Sequence, residues 1–228
     1  MIVEICCDSY KKALAVREAG GDRIELCAEL GVGGVTPPLE LVARVMKALP
    51  IPVHVMIRPR AGNFHYSPEE TGQMLDSICR VGEISERSRS EGRQVEVDGV
   101  VIGALDAAGN VDTETCRRLI RLARSLRLSV TFHRAIDVAR DPLQTFRDIL
   151  PLGVDRVLSS GGSASAFEGR FVLAEMQEIS KAEQGPILMP GGGVTAANLG
   201  AIAQTTAARE IHGSRLEIID AARFAVAR

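Results

Sequence analysis

Tryptophan is absent from the 228-residue chain, and phenylalanine and tyrosine together are only eight residues. That removes the usual stacking platform for single-stranded nucleic acid or sugars. No basic run is interleaved with aromatics, and 27 Lys and Arg stand against 29 Asp and Glu, so a nucleic-acid partner is not expected. Nor does any apolar run approach the ~18 to 20 residues needed to cross a bilayer, so no membrane partner is expected either. The five cysteines, Cys6, Cys7, Cys27, Cys79 and Cys116, contain no CxxC pair and are odd in number. Neither a disulfide framework nor a structural zinc site follows from them, and a reducing compartment fits best. The chain opens directly on strand-like sequence, Met1-Ile2-Val3-Glu4-Ile5, with no charged segment ahead of an export stretch. The expected location is therefore the cytoplasm.

What is present is ordinary globular material, 46% hydrophobic and 25% charged. Short β-branched runs alternate with amphipathic stretches from end to end, which indicates βα units and a parallel sheet. Eight such runs are visible, near Ile2–Cys6, Arg23–Leu26, Val53–Ile57, Gly99–Gly103, Ser129–Phe132, Arg156–Leu158, Ile187–Met189 and Glu210–His212. Eight strands with helices between them favour a closed α/β barrel, a single (β/α)8 TIM-barrel domain over residues 1–228. Ser67-Pro68-Glu69-Glu70, Asp141-Pro142 and Thr195 mark helix starts. The polar stretch Arg80–Gln94 reads as an exposed helix end and loop. Asp22-Arg23 and Asp155-Arg156 precede apolar strands in the same way, either as an echo of a half-barrel duplication or as a turn that recurs in every such unit.

Strand side chains alternate, and in a barrel one phase lies under the helices while the other fills the interior. Applied residue by residue, the rule sends Val3, Ile5, Ile24, Leu26, Val53, Val55 and Ile57 outward. It sends Glu4, Cys6, Arg23, Glu25, Cys27, His54, Met56, Arg58, Thr131, His133, Arg156, Leu158, Glu210 and His212 inward. Such an interior is unusually polar for this fold, so its acids must meet its bases. Glu4, Arg23 and Arg156, early in their strands, read as a packed ion-pair network. Residues at the carboxyl ends of strands read as functional, because active sites of this fold gather there.

Three rim segments carry chemistry. Arg58-Pro59-Arg60 places two guanidiniums at the end of the third strand, ahead of a shaped loop with Gly62, Phe64 and Tyr66, and suits an anion. His133-Arg134 ends the fifth strand, with Asp137 near enough to orient one of them, so His133 is either an acid–base group or a core histidine holding the loop. Gly191-Gly192-Gly193 ahead of a helix start, together with His212-Gly213-Ser214, occupies the loops where phosphate sites of this fold usually form. Ser160-Gly161 after the sixth strand would extend the same rim. A small anionic ligand at the barrel mouth is the expected partner.

Glu4-Ile5-Cys6-Cys7, Arg23-Ile24-Glu25-Leu26-Cys27, the run from Ile57-Arg58-Pro59-Arg60 through Gly62-Asn63-Phe64, Thr131-Phe132-His133-Arg134-Ala135-Ile136-Asp137, and Met189-Pro190-Gly191-Gly192-Gly193-Val194 together resemble the CutC copper-homeostasis family. The likeness spans nearly the whole chain, with Gly62-Asn63-Phe64 standing where the family commonly has Gly-Asp-Phe. The resemblance implies a cytosolic (β/α)8 barrel linked to copper homeostasis, with copper binding and no settled reaction. Under that implication Cys6, Cys27 and Met56 are the candidate metal donors, since soft sulfur ligands suit Cu(I). The competing reading of the same three residues is core packing. A second functional class is a lyase or isomerase acting on a small phosphorylated or carboxylated metabolite, with Glu25, Arg58, His133 and Asp137 as catalytic candidates. Its ligand contacts would come from Arg60, Ser160, Gly161, Gly191, Gly192, Gly193, His212, Gly213 and Ser214. A third class is a homo-oligomeric scaffold that retains an ancestral site.

Overall fold

The computed structural model describes residues 1–95 and 98–226. Eight parallel strands carry the architecture: β1 Ile2–Cys7, β2 Arg23–Leu26, β3 Val53–Met56, β4 Gly99–Ile102, β5 Ser129–Phe132, β6 Arg156–Ser159, β7 Ile187–Pro190 and β8 Glu210–Gly213. Eight helices alternate with them: α1 Tyr10–Glu18, α2 Leu39–Ala48, α3 Pro68–Ser90, α4 Thr113–Ser125, α5 Pro142–Ile149, α6 Arg170–Glu183, α7 Ala196–Thr206 and α8 Glu217–Val226. The hydrogen-bonded order runs β7-β6-β5-β4-β3-β2-β1-β8, and β7 packs beside β8 without a ladder among the described residues. The result is a nearly closed (β/α)8 barrel, as the eight runs predict. No helix among the described residues is long and apolar enough to cross a membrane.

Local chemistry sets the helix starts. Ser67 Oγ accepts from the Glu70 N–H at 3.2 Å while the Glu70 carboxylate accepts from the Ser67 N–H at 2.9 Å, a reciprocal cap with Pro68 preset in the first turn. Asp141 accepts from the amides of Leu143 and Gln144, each at 3.0 Å, and so starts α5. The stretch Arg80–Gln94 differs from its sequence reading. Helix α3 continues through Ser90, with Val81 and Ser85 fully buried, and Ser85 Oγ donates to Asp98 at 2.7 Å. The polar residues there are one face of a helix packed on the barrel.

The two-residue alternation sorts the strands as argued. Val3, Ile5, Ile24, Leu26, Val53, Val55 and Ile57 belong to the main hydrophobic layer between sheet and helices. Cys6, Cys27, Met56 and Val101 form a separate small cluster, with Leu30 packed against it. Space for the two interior histidines comes from glycines at Gly99, which opens β4, and Gly103, which follows it. A Cβ on Gly99 would lie 2.8 Å from His54, and one on Gly103 would lie 2.5 Å from His133 Nδ1. The Asp-Arg echo resolves into a repeat of alternate strands. Asp22, Asp98 and Asp155 accept amides at the starts of β1, β3 and β5, from Val3 (2.8 Å), Val53 (3.0 Å) and Val130 (2.6 Å). The device recurs three times, so it belongs to strand-end geometry and marks no half-barrel.

Candidate functional site

The lower interior is an ion-pair layer. Arg23 Nε donates to Glu4 at 2.6 Å and its Nη2 to Glu210, while Arg156 Nε reaches the same Glu210 oxygen at 2.8 Å. Glu4 also accepts from His212 Nδ1 at 2.8 Å and lies 3.5 Å from His54 Nδ1. Burial pushes the Glu4 pKa up, but Arg23, the His212 hydrogen bond and the nearby histidines more than reverse it, holding the carboxyl well below its ordinary range. Burial takes His54 down to about 3, against the pull of Glu4, so its ring is neutral. The charged groups of this layer pair with one another, as the sequence reading of Glu4, Arg23 and Arg156 requires, while His54 Nδ1 is buried without a hydrogen-bond partner.

Above it opens a cavity of about 520 Å3 at the carboxyl ends of the strands. A larger cleft of about 1080 Å3 lies at the other end of the barrel, against Arg23, His54 and Arg156. We take the smaller one as the site, because strand-end side chains of unlike chemistry converge only there. Cys6, Glu25, Met56, Arg58, His133, Asp137, Gly192, Gly193, His212, Gly213 and Ser214 all line it. Cys27 is fully buried just behind, its Sγ 3.5 Å from Cys6 Sγ.

The floor is soft and acidic at once. Cys6 Sγ donates to Glu25 Oε1 at 3.1 Å, and the donor atoms of Cys6, Glu25 and Cys27 all lie within 4.8 Å of one another. The hydrogen bond with Cys27, then burial and the Glu25 charge, push the Cys6 thiol well up. Burial also raises the Glu25 carboxyl, only partly opposed by His212, and its Oε2 has no partner. Two sulfurs at this spacing beside a methionine fit a soft monovalent ion. Among the described residues the convergent groups have three members and not the four a structural zinc centre uses.

The walls redistribute the roles expected of the rim. Arg58 lines the cavity, yet its guanidinium donates to the carbonyls of Val32 (3.0 Å), Gly34 (2.9 Å) and Gly62 (2.8 Å), tying two loops together. Arg60 stands outside the cavity. It grips Glu70, the Asn63 side chain at 3.1 Å and the His65 carbonyl at 2.8 Å. Asn63 thus supplies an acceptor oxygen to Arg60.

His133 Nδ1 accepts from the Ala135 N–H at 3.2 Å, which fixes the proton on Nε2, and that nitrogen is buried without a partner. Burial, then the Arg58 charge, bring His133 down to about 3. Asp137 does not reach His133. Its carboxylate accepts from Ser159 Oγ (2.6 Å), the Ser160 amide (2.9 Å), the Gly162 amide (3.2 Å) and Arg134 Nε (2.7 Å), so it shapes the loop after β6. Ser160 and Gly161 belong to that loop and do not line the cavity. Ser160 Oγ accepts from Arg134 at 3.0 Å, and a Cβ on Gly161 would strike the Gly169 carbonyl at 2.5 Å. Gly191 also stands back, its amide on the Ser159 carbonyl at 2.9 Å.

Two rim residues are missing from the sequence expectation. Arg134 lies over the Gly192 turn, where a Cβ would come 3.0 Å from its Cζ, and Arg215 lines the opposite rim. Arg134 stands inside the Thr131–Asp137 motif, next to the strand-end His133. Arg215 sits one residue past Ser214, with no pattern to flag it.

The class is therefore a TIM barrel with a polar, sulfur-floored mouth. A family profile described as the CutC family matches residues 1–217, and the chain belongs to that family. It is 43% identical over 223 residues to a "family protein CutC" of Xylella fastidiosa strain 9a5c, covering 97% of this chain and 78% of that one. It is 38% identical over 213 residues to the human "Copper homeostasis protein cutC homolog", covering 93% and 72%. The crystal structure of a CutC protein from Streptococcus agalactiae superposes with a TM-score of 0.82 at 31% identity, over 95% of this chain and 99% of that one. The Pyrococcus furiosus phosphoribosylanthranilate isomerase, at a TM-score of 0.59 and 15% identity over the full length of both chains, shares the fold alone.

Proposed function

We propose that this protein handles copper in the cytoplasm, taking Cu(I) as cargo on Cys6 and Cys27 with Met56 as a third donor, beneath a mouth that admits a small anion. The observation that carries the reading is the 3.5 Å approach of the two thiols in one cluster with Met56. Thiolate and thioether sulfur are the donors Cu(I) prefers, and the cysteines of the chain are all free. The human relative is named for copper homeostasis, which agrees with this reading. No nucleic acid or membrane is needed for it, and it leaves self-association open.

Reduced, full-length protein titrated with Cu(I) against a chromophoric chelator tests the proposal. The Cys6→Ser/Cys27→Ser double variant should lose the bound equivalent. If it holds as much copper as the parent, other thiols such as Cys79 or Cys116 are the binders and the site is wrong.

A second reading is proton-transfer chemistry on a small phosphorylated or carboxylated metabolite, as in a lyase or isomerase. It is favoured by the unpartnered Glu25 Oε2 and His133 Nε2 in the same cavity. Saturable binding of such a metabolite by protein lacking both cysteines would support it over copper handling.

A further inference from the structure

The cavity that ends on Cys6, with Cys27 just behind it, carries more arginines than carboxylates on its lining. Arg58, Arg134 and Arg215 line it against only two carboxylates, Glu25 and Asp137. Asp137 is occupied, whereas Glu25 keeps one oxygen, Oε2, without a partner. Glu25 lies on the floor against Cys6, and the oxygens of Asp137 are taken by the loop after β6 and by Arg134. The guanidiniums of Arg134 and Arg215 stand at the rim, 43% and 63% exposed, the first paired with Asp137 at 2.7 Å and the second only loosely with the exposed Glu217 at 3.8 Å. A bare monovalent cation would have to pass this rim against its field.

The buried wall repeats the demand. His133 Nε2 and Arg58 Nε are donors without an acceptor, on side chains whose residues are 3% and 5% exposed. Beside Arg134 the chain turns through Gly192 at φ +100° and Gly193 at φ +66°, and among the described residues neither amide has an acceptor. The unused groups on the wall and at the turn are thus donors, while the floor holds the two sulfurs beside Glu25, whose Oε2 is without a partner. A ligand complementary to both tiers carries oxygen anions at one end and a soft metal at the other.

We infer that copper reaches this protein as the Cu(I) complex of a small thiol that bears carboxylates, with the carboxylates held by Arg134, Arg215 and the Gly192–Gly193 turn while the metal passes to Cys6 and Cys27. The inference rests on the copper reading above and names the partner of that site. The transfer is a ligand exchange. Two Cu–S bonds to carrier thiolates break and two to Cys6 Sγ and Cys27 Sγ form, while the two cysteine protons leave on the departing thiols. Copper stays Cu(I), and the total charge is unchanged. A cavity of about 520 Å3 falls within the size range of small-molecule sites.

The test compares two carriers under anaerobic conditions: Cu(I) bound by mercaptosuccinate, a dicarboxylate thiol, and Cu(I) bound by uncharged 2-mercaptoethanol. Transfer to the parent protein should run at least about tenfold faster from mercaptosuccinate at low ionic strength, and added salt should shrink the ratio. In Arg134→Gln and in Arg215→Gln the ratio should fall towards one. The second variant changes an exposed rim residue, so it still reads the effect if loss of Arg134 disturbs the loop after β6. Equal rates from both carriers in the parent, or a ratio that survives both substitutions and salt, would overturn the inference while leaving the copper site standing. Failure to take copper from either carrier would instead remove the copper reading itself.

Discussion

His212 Nδ1 lies 2.8 Å from Glu4 Oε1, so the histidine of β8 is bonded to its register partner on β1. Burial lowers the His212 pKa, but the charges of Glu25 and Glu4 and the hydrogen bond to Glu4 raise it by more, leaving it above its ordinary 6.5. A raised folded-state value means the proton is bound more tightly in the native protein. Its stabilisation is complete below about pH 6.5 and is lost as pH rises through the folded value. Unfolding free energy should therefore decline as pH rises from about 6.5 through the raised folded value, and His212→Asn should flatten that limb. Identical slopes in urea titrations of parent and variant would show that His212 is not the group responsible.

His133 has the opposite sign. Its folded value of about 3 lies below the ordinary 6.5, so the unfolded chain takes up a proton that the native ring refuses. Stability should fall as pH drops below about 6.5 and continue falling towards about 3, with His54 adding to the same limb. His133→Asn keeps an acceptor for the Ala135 amide and removes the titration. Urea midpoints at about pH 7 and about pH 4.5 should then lie closer together than in the parent. An unchanged gap would assign the acid limb to other groups.

These buried polar groups also show how much the amino-acid order reveals. Val53-His54-Val55-Met56 announces a strand with one apolar and one polar face, and the barrel interior follows from repeating that reading eight times. The strand-end positions of Cys6, Glu25, His133 and His212 follow as well, because alternation and strand order together determine which mouth they share. Hydrogen-bond partners do not follow. Arg58 reaches carbonyls up to 26 residues away, and Asp137 serves backbone donors 23 and 25 residues further on. Such pairings depend on loop geometry that leaves no period in the sequence. Arg80–Ser90 misleads for a related reason: a helix packed by one narrow stripe of Val81, Ser85 and Ser88 has little apolar signal.

Asp137 should behave as a loop organiser. Its side chain is 4% exposed and accepts four charge-assisted hydrogen bonds from Ser159, Ser160, Gly162 and Arg134. Asp137→Asn replaces one acceptor oxygen with a donor and removes the charge, at a cost of about 1.5 to 3 kcal/mol. Amide exchange at Ser160 and Gly162 should accelerate along with the loss of stability. A variant of parental stability that has lost ligand binding would instead place Asp137 in direct contact with the ligand.

Glu210 carries the largest expected effect. One of its oxygens receives both Arg23 and Arg156, in a layer where Arg23 is 4% and Arg156 17% exposed. Glu210→Gln preserves the shape and removes the charge, leaving Arg156 without its carboxylate and Arg23 with Glu4 alone. Removing one member of a buried charge network costs about 3 to 5 kcal/mol, mostly the penalty of the cation left behind. That penalty separates pairing from packing. Adding Arg156→Met to Glu210→Gln removes the stranded guanidinium while filling its space, so the double variant should recover a large part of the lost stability. Denaturant unfolding of the parent, both singles and the double closes the cycle. Additive losses would mean that the two side chains contribute independently and that the floor of the barrel is held by packing, whereas recovery in the double variant would place its stability in the pairing itself.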